Sequence, residues 1–394
     1  MNCLKFDKNK AVFMSKWFFF DESNQFKELG KDILNLFKKN NIMVAVLAQE
    51  QTNAILRSKV PLEFKDDLKF IARSRLMWPR VNELQRQGNM IAVVGVVNED
   101  AIFAFQSKIP LFNPTLLGFN VDLKVDNYGL PIADLQDIID CYKAFEIHQD
   151  NYFRMDFGDN FTVISLNNAN TYLRPSEEVR IKQLFKTNLK GDAYSRNHKI
   201  LLLLLFHLVN EITTSDFYQD VDYWGIFPSS DPSNTTTSIS SLKESVRCIV
   251  GGGPRGGEEL FLRIKAKPPK HFSGNKKYSD KGNEDFETLI VNPRHYGKIR
   301  GSVVCIIDDY ITTGYSAEVA KSLLIAAGAR KVVFLSIGKF GKKYFSTNYN
   351  VQGNVSRNYS ADLVEEVEYG AYYGNQQFYN SDNEIEILNF GDIL

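Results

Sequence analysis

Between residues 2 and 117 apolar runs recur at short intervals, and stretches with helical spacing lie between them. IMVAVLAQ (42–49) and MIAVVGVV (90–97) are apolar almost throughout, as befits strands buried on both faces of a parallel sheet. DILNLFKKNN (32–41) and VNELQRQG (81–88) read instead as helices with one apolar stripe. Strand and helix in alternation predict an α/β fold with a parallel sheet. From 118 to 172 the chain is richer in Asn, Asp and aromatics, and NFTVISLNN (160–168) reads as a strand within a connecting region.

After Ser176 the pattern turns helical, in EEVRIKQLFKTNL (177–189) and HKILLLLLFHLVNEI (198–212). A short strand DYWGIF (222–227), the polar turn PSSDPSNTTTS (228–238) and a helix ISSLKESVRCIV (239–250) lead into the glycine-rich loop GGGPRGG (251–257). The segment 260–292 has an apolar strand at each end and a basic, polar middle. VVCIIDD (303–309) is a buried strand, TTGYSAEVAKSLLIAAGA (312–329) is a loop running into a helix that starts near Ala317, and KVVFLSIGKF (331–340) is the next strand. No internal repeat is visible, and the polar, aromatic tail carries no legible chemistry. At 394 residues the chain exceeds one ordinary core, and the change of pattern predicts two domains, 1–172 and 173–394.

Charge narrows the functional classes. Lys+Arg and Asp+Glu both number 47, so no global field favours nucleic acid or a membrane surface. The run at 201–209 is broken by His207 and falls short of the roughly 20 residues of a membrane helix, so it reads as a buried helix. Cys3, Cys141, Cys248 and Cys305 are far apart, which points to reduced thiols and a cytoplasmic location.

One string concentrates the chemistry: VVCIIDDYITTGYS (303–316). Five apolar residues run into the adjacent carboxylates of Asp308 and Asp309. Thr312, Thr313, Gly314, Tyr315 and Ser316 then form a turn into a helix. Backbone amides at a helix N-terminus suit a phosphate, and Gly314 permits close approach. Carboxylates beside a phosphate repel it unless they face ribose hydroxyls or a divalent cation, and Mg²⁺ shared with substrate oxygens reconciles the two.

The string resembles the phosphoribosyl-pyrophosphate signature of type I phosphoribosyltransferases. The resemblance implies that the second domain has that family's parallel-sheet fold. It also implies that Asp308 and Asp309 face the ribose hydroxyls, meeting Mg²⁺ through substrate, while residues 312–316 cradle the 5′-phosphate. Pro228, Ser229 and Ser230 occupy the place of the family's pyrophosphate loop. Arg263, Lys267, Lys270 and His271 lie where its mobile basic loop and the strand leading into it belong, with Arg294 and His295 as weaker candidates. The implied activity is an Mg²⁺-dependent pentosyl transfer from phosphoribosyl pyrophosphate to a nitrogenous acceptor such as a nucleobase. A ligand-sensing regulator without turnover is the alternative, and assembly into a homo-oligomer is left open.

The first domain is similar, over about a quarter of the chain, to haloacid dehalogenase-like phosphohydrolases. Gly95, Asn98, Glu99 and Asp100 stand where that family's acidic motif lies. Asp21 is the sole candidate for its nucleophile, but Glu22 and Ser23 follow it where the family pattern is Asp-x-Asp. The expectation is a degenerate α/β domain.

Overall fold

A computed structural model describes residues 9–145, 151–190, 197–234, 237–254, 258–267, 280–370, 372–373, 376–380 and 390. The chain forms two compact units: Met1–Glu146, Leu201–Gln219 and Ser245–Gly251 make the first, and Ile147–Ile200, Asp220–Glu244 and Gly252–Leu394 the second. The break expected at 172 therefore falls inside the second unit. The reason is NFTVISLNN, which is a central sheet strand and not a connection.

The first unit holds strands β1 (Lys10–Ser15), β2 (Met43–Ala48), β3 (Leu68–Ala72), β4 (Met90–Val94), β5 (Leu111–Asn113) and β6 (Leu130–Pro131). They form a six-stranded, all-parallel sheet in the order β3-β2-β1-β4-β5-β6. Helices α1 (Glu28–Lys39), α2 (Glu50–Lys59), α3 (Trp78–Arg86), α4 (Asn98–Ser107), α5 (Leu123–Tyr128) and α6 (Gln136–Ala144) alternate with the strands or follow them. The apolar runs become buried strands, and α1 buries Ile33, Leu34 and Phe37, one helical stripe.

The second unit begins with β7 (Phe153–Phe157), β8 (Phe161–Asn168) and α7 (Ser176–Lys190). Next come α8 (His198–Thr214), most of which belongs to the first unit, β9 (Val221–Ile226), and α9 (Ser238–Val250), which is divided between the units. In α8 the leucine run is buried as expected, and Phe206 packs on the rings of Phe112, Tyr142 and Phe145. The chain continues through β10 (Phe261–Arg263), α10 (Asn283–Thr288), β11 (Leu289–Val291), α11 (Pro293–Tyr296), β12 (Val303–Ile311), α12 (Tyr315–Ala326) and β13 (Lys331–Lys339). It then folds into a long antiparallel ribbon of β14 (Tyr344–Gly353) and β15 (Tyr359–Tyr369).

The central sheet of this unit runs β7-β8-β13-β12-β9, parallel except for β7. β12 thus lies between β13 and β9. Val303 to Ile307 are buried, and each such aliphatic side chain contributes roughly 1.5–3 kcal/mol. Cys305 is among them, and burial pushes its thiol pKa well up, while Cys3 lies outside the described residues. Among the described residues no helix is long and apolar enough to cross a membrane.

Candidate functional site

The acid pair does not end its strand. β12 continues through Tyr310 and Ile311 because both side chains are packed: Ile311 is buried, and the Tyr310 ring covers Gly338 and faces Phe340 at 5.0 Å. Asp308 and Asp309 are half-buried, and each carboxylate turns onto the next backbone amide. Asp309 N–H donates to Asp308 Oδ1 at 2.8 Å, and Tyr310 N–H to Asp309 Oδ1 at 2.6 Å. The other oxygen of Asp309 faces Lys190 Nζ at 3.3 Å. Lys190 is the last residue of α7, and its ammonium also lies 5.4 Å from the Tyr310 ring. A cation from a distant helix therefore offsets one of the two like charges, although exposure limits the pair to about 1 kcal/mol or less.

The turn that follows has a definite polarity. Thr312 O accepts from Lys339 Nζ at 2.6 Å, Thr313 O from Phe345 N–H at 2.8 Å, and Gly314 O from Glu318 N–H at 3.0 Å. All three carbonyls are thus bonded into the protein. Among the described residues the amides of Thr313 and Gly314 have no intramolecular partner, and they lead into the first turn of α12. The side chains of Thr312, Thr313 and Ser316 are half-buried around these amides. Gly314 adopts φ +95°, and a Cβ there would lie 2.4 Å from Tyr344 Cε2, so the turn needs glycine. Tyr315 differs from its neighbours: its ring stacks on Phe345 at 5.4 Å and its hydroxyl donates to Glu366 Oε2 at 2.9 Å. Burial, with Glu366 beside it, pushes its pKa well up. Only the Tyr315 backbone can serve the turn. The helix starts at Tyr315, two residues before the expected position.

The loop after β9 lies at the same sheet edge, since Ile226 and Ile307 are paired and Phe227 N–H reaches Ile307 O at 3.4 Å. It has the same polarity. Pro228 O accepts from Arg263 Nη2 at 3.2 Å, Ser229 O from Arg263 Nε at 2.5 Å, and Ser230 O from Lys267 N–H at 3.0 Å. The amides of Ser229 and Ser230 have no partner among the described residues. Arg263 also donates to Thr288 Oγ1 at 2.6 Å and Asp285 Oδ1 at 3.0 Å, and the Lys267 ammonium pairs with Asp285 as well. Arg263 and Lys267 are both buried. Arg263 ends β10, the strand leading into the basic segment, and braces the 228–230 loop from behind while Asp285 holds its guanidinium in the interior. Lys270 and His271 lie outside the described residues. Arg294 and His295 sit in α11, which leads to the amino end of β12, the edge opposite the acid pair; Arg294 pairs with Glu258 at 2.5 Å, and burial lowers the pKa of His295.

In the first unit the acidic motif is taken up by structural bonds. Asp100 is fully buried and accepts from Val96 N–H at 3.0 Å, Val97 N–H at 3.2 Å and Arg73 Nη1 at 3.0 Å. Burial raises its pKa, while Arg73 pulls it down. Asn98 N–H donates to Asp122 Oδ2 at 2.8 Å, and Asn98 Oδ1 accepts from Lys124 N–H at 3.0 Å. Glu99 is exposed, and Gly95 leaves room for Leu111, which a Cβ would approach to 2.9 Å. Asp21 is exposed beyond the end of β1, where its carboxylate accepts from Gln25 N–H at 2.8 Å to close a turn.

Sequence reasoning missed two cations. Lys190 carried no signal, as one of several lysines on a helix. Lys339 closes β13, a strand whose other lysine, Lys331, stands at the opposite end, and it follows seven buried residues with no polar run to mark it. Among the described residues no cluster of three or more His, Cys, Asp or Glu side chains is arranged to hold a metal ion. No protein-family model matches the chain, and no curated protein matches it.

Proposed function

We propose that the second unit binds phosphoribosyl pyrophosphate with Mg²⁺ and transfers the phosphoribosyl group to a nitrogenous acceptor. The observation that carries this reading is the pair of loops 228–230 and 312–314. They follow adjacent parallel strands at one sheet edge, and beside the Asp308–Asp309 pair both have carbonyls bonded into the protein and amides without a partner among the described residues. Ligands of open α/β sheets bind at the carboxyl ends of the strands, and unpartnered amides beside carboxylates suit a phosphorylated sugar whose hydroxyls face the acids.

The donor set fits magnesium that arrives with the substrate: two carboxylates, one already offset by Lys190, are hard oxygen donors but too few for a protein-only cage. When bound, the ion would neutralise charge on the departing pyrophosphate. The chain's own part is positioning. The 312–316 turn would hold the 5′-phosphate, Asp308 and Asp309 the ribose hydroxyls, and the Ser229 and Ser230 amides the pyrophosphate. The C1–O bond to pyrophosphate breaks, its electron pair leaves with pyrophosphate, and the acceptor nitrogen forms the new bond at C1. The first unit serves as an inactive α/β domain, a reading supported by the structural engagement of Asp100.

A sensing role without turnover is the second reading. It is favoured by Arg263, whose guanidinium is engaged by the protein and not directed to a leaving group. Pyrophosphate release measured against a panel of purine and pyrimidine bases separates the two. Release with any base establishes transfer, whereas binding without release across the panel establishes sensing.

A further inference from the structure

Lys339 lies 0% exposed at the end of β13, beside the strand that carries the acid pair. Its ammonium is surrounded by backbone carbonyls: Thr312 O at 2.6 Å, Lys343 O at 2.9 Å, Phe340 O at 3.0 Å and Gly341 O at 3.4 Å. The Phe153 ring lies 5.5 Å away, and no ion pair with a carboxylate forms among the described residues. The cage is tied to the turn at two further points, Phe340 N–H to Ile311 O and Phe345 N–H to Thr313 O, both at 2.8 Å. Its far side is anchored where Gly341 N–H donates to Asn170 Oδ1 at 2.7 Å.

A buried ammonium without a counter-charge is costly, and an apolar side chain of similar length would fill the same space more cheaply. Burial draws the pKa of Lys339 down to about 7, while each carbonyl favours the charged form. A group kept at such a cost should act on something nearby, and the nearest functional element is the turn whose carbonyl it holds. Four neutral oxygens around one cation are the surroundings of a monovalent ion site.

We propose that Lys339 is a positioning residue, a built-in monovalent cation that draws the carbonyls of the 312–314 turn inward and so keeps its amides aimed at an anion. The inference rests on reading that turn as a phosphate cradle. It adds a charge behind the turn to the donors in front of it, so that the anion is held by amides whose dipoles the ammonium aligns.

The test uses the full chain at about pH 6.5 with sulfate as probe, because the charge of sulfate does not change near that pH. Lys339→Ala is expected to weaken sulfate binding about tenfold or more, the equivalent of one lost charge-assisted hydrogen bond. Ammonium or potassium ions, at concentrations that leave wild type unaffected, should restore most of that loss by entering the emptied cage. Lys339→Met, which fills the cage with an apolar chain, should not be rescued. Wild-type affinity in a folded Lys339→Ala protein, or loss that neither cation rescues, overturns the proposal. Should these variants fail to fold, the wild type still decides. Sulfate should shift the Thr313 and Gly314 amide resonances and the Lys339 ammonium resonance together, and an unmoved ammonium signal overturns the proposal. Phosphoribosyl pyrophosphate separates this from the functional reading. Sulfate bound through Lys339 without affinity for that ligand sinks only the function, and ligand binding indifferent to Lys339 sinks only the inference.

Discussion

Gly314→Ala is the sharpest probe of the turn. Two costs add at this position. At φ +95° an alanine carries the left-handed penalty of about 1–2 kcal/mol. Its Cβ would also sit 2.4 Å from Tyr344 Cε2 and 2.7 Å from Cδ2 and Cζ. The ring cannot yield freely, because Tyr344 is fully buried and its hydroxyl donates to Glu318 Oε1 at 2.8 Å. Displacing such a ring costs about 1–3 kcal/mol more. The sum, about 2–5 kcal/mol, is a large share of a typical total of about 5–15 kcal/mol. Urea unfolding can be read on Trp224, the buried tryptophan of the second unit, in a Trp17→Phe, Trp78→Phe background. The two costs separate in a cycle with Tyr344→Ala, which opens the space and should recover about 1 kcal/mol or more as coupling. Additivity within about 0.5 kcal/mol, or a loss below about 1 kcal/mol for Gly314→Ala, would refute the argument.

Other perturbations address other parts of the account. Lys339 titrates at about 7 when folded and 10.5 when unfolded, so between those values the unfolded chain holds the extra proton. Relative to Lys339→Met, wild-type stability should therefore fall by up to about 1.4 kcal/mol per unit as pH drops from 10.5 to 7, and level off below; parallel profiles for the two proteins would contradict this. Asp100→Ala leaves Arg73 without its buried partner and should cost about 3–5 kcal/mol, whereas Asp21→Ala should cost under about 1 kcal/mol; thermal melts compare them, and equal losses would reverse the reading of the first unit. Lys190→Ala should change stability by less than about 1 kcal/mol yet weaken sulfate binding several-fold, more at low ionic strength; salt-independent affinity would count against its charge-offsetting role.

Much of the fold was legible because burial leaves a plain trace in composition. β2, β4, β12 and β13 are apolar runs, α1 and α3 carry helical spacing, and all appear where the pattern puts them. The domain boundary was not legible, because a strand that joins a sheet more than 160 residues further on looks locally like a connection. The polar faces of the β14–β15 ribbon hid it in the same way: cross-strand pairing fixes it, and no buried apolar run announces it. At the site, the acid pair and the glycine turn stood out because rare residue types adjoin a buried strand. The partners that complete them did not. Lys190, Arg263 and Lys339 act through contacts 119, 34 and 27 positions away in sequence, set by tertiary packing alone. The surroundings of the Tyr315 side chain were hidden for the same reason, since its ring stacks on Phe345 and its hydroxyl bonds Glu366.

Calorimetric titration of phosphoribosyl pyrophosphate with Mg²⁺ into the full chain, wild type beside Asp308→Asn/Asp309→Asn, tests the central claim most directly. The account predicts saturable binding by wild type and a loss of about tenfold or more in the double variant, as ribose hydroxyls lose two charged acceptors. Absence of wild-type binding, or equal affinity in the folded double variant, would contradict it.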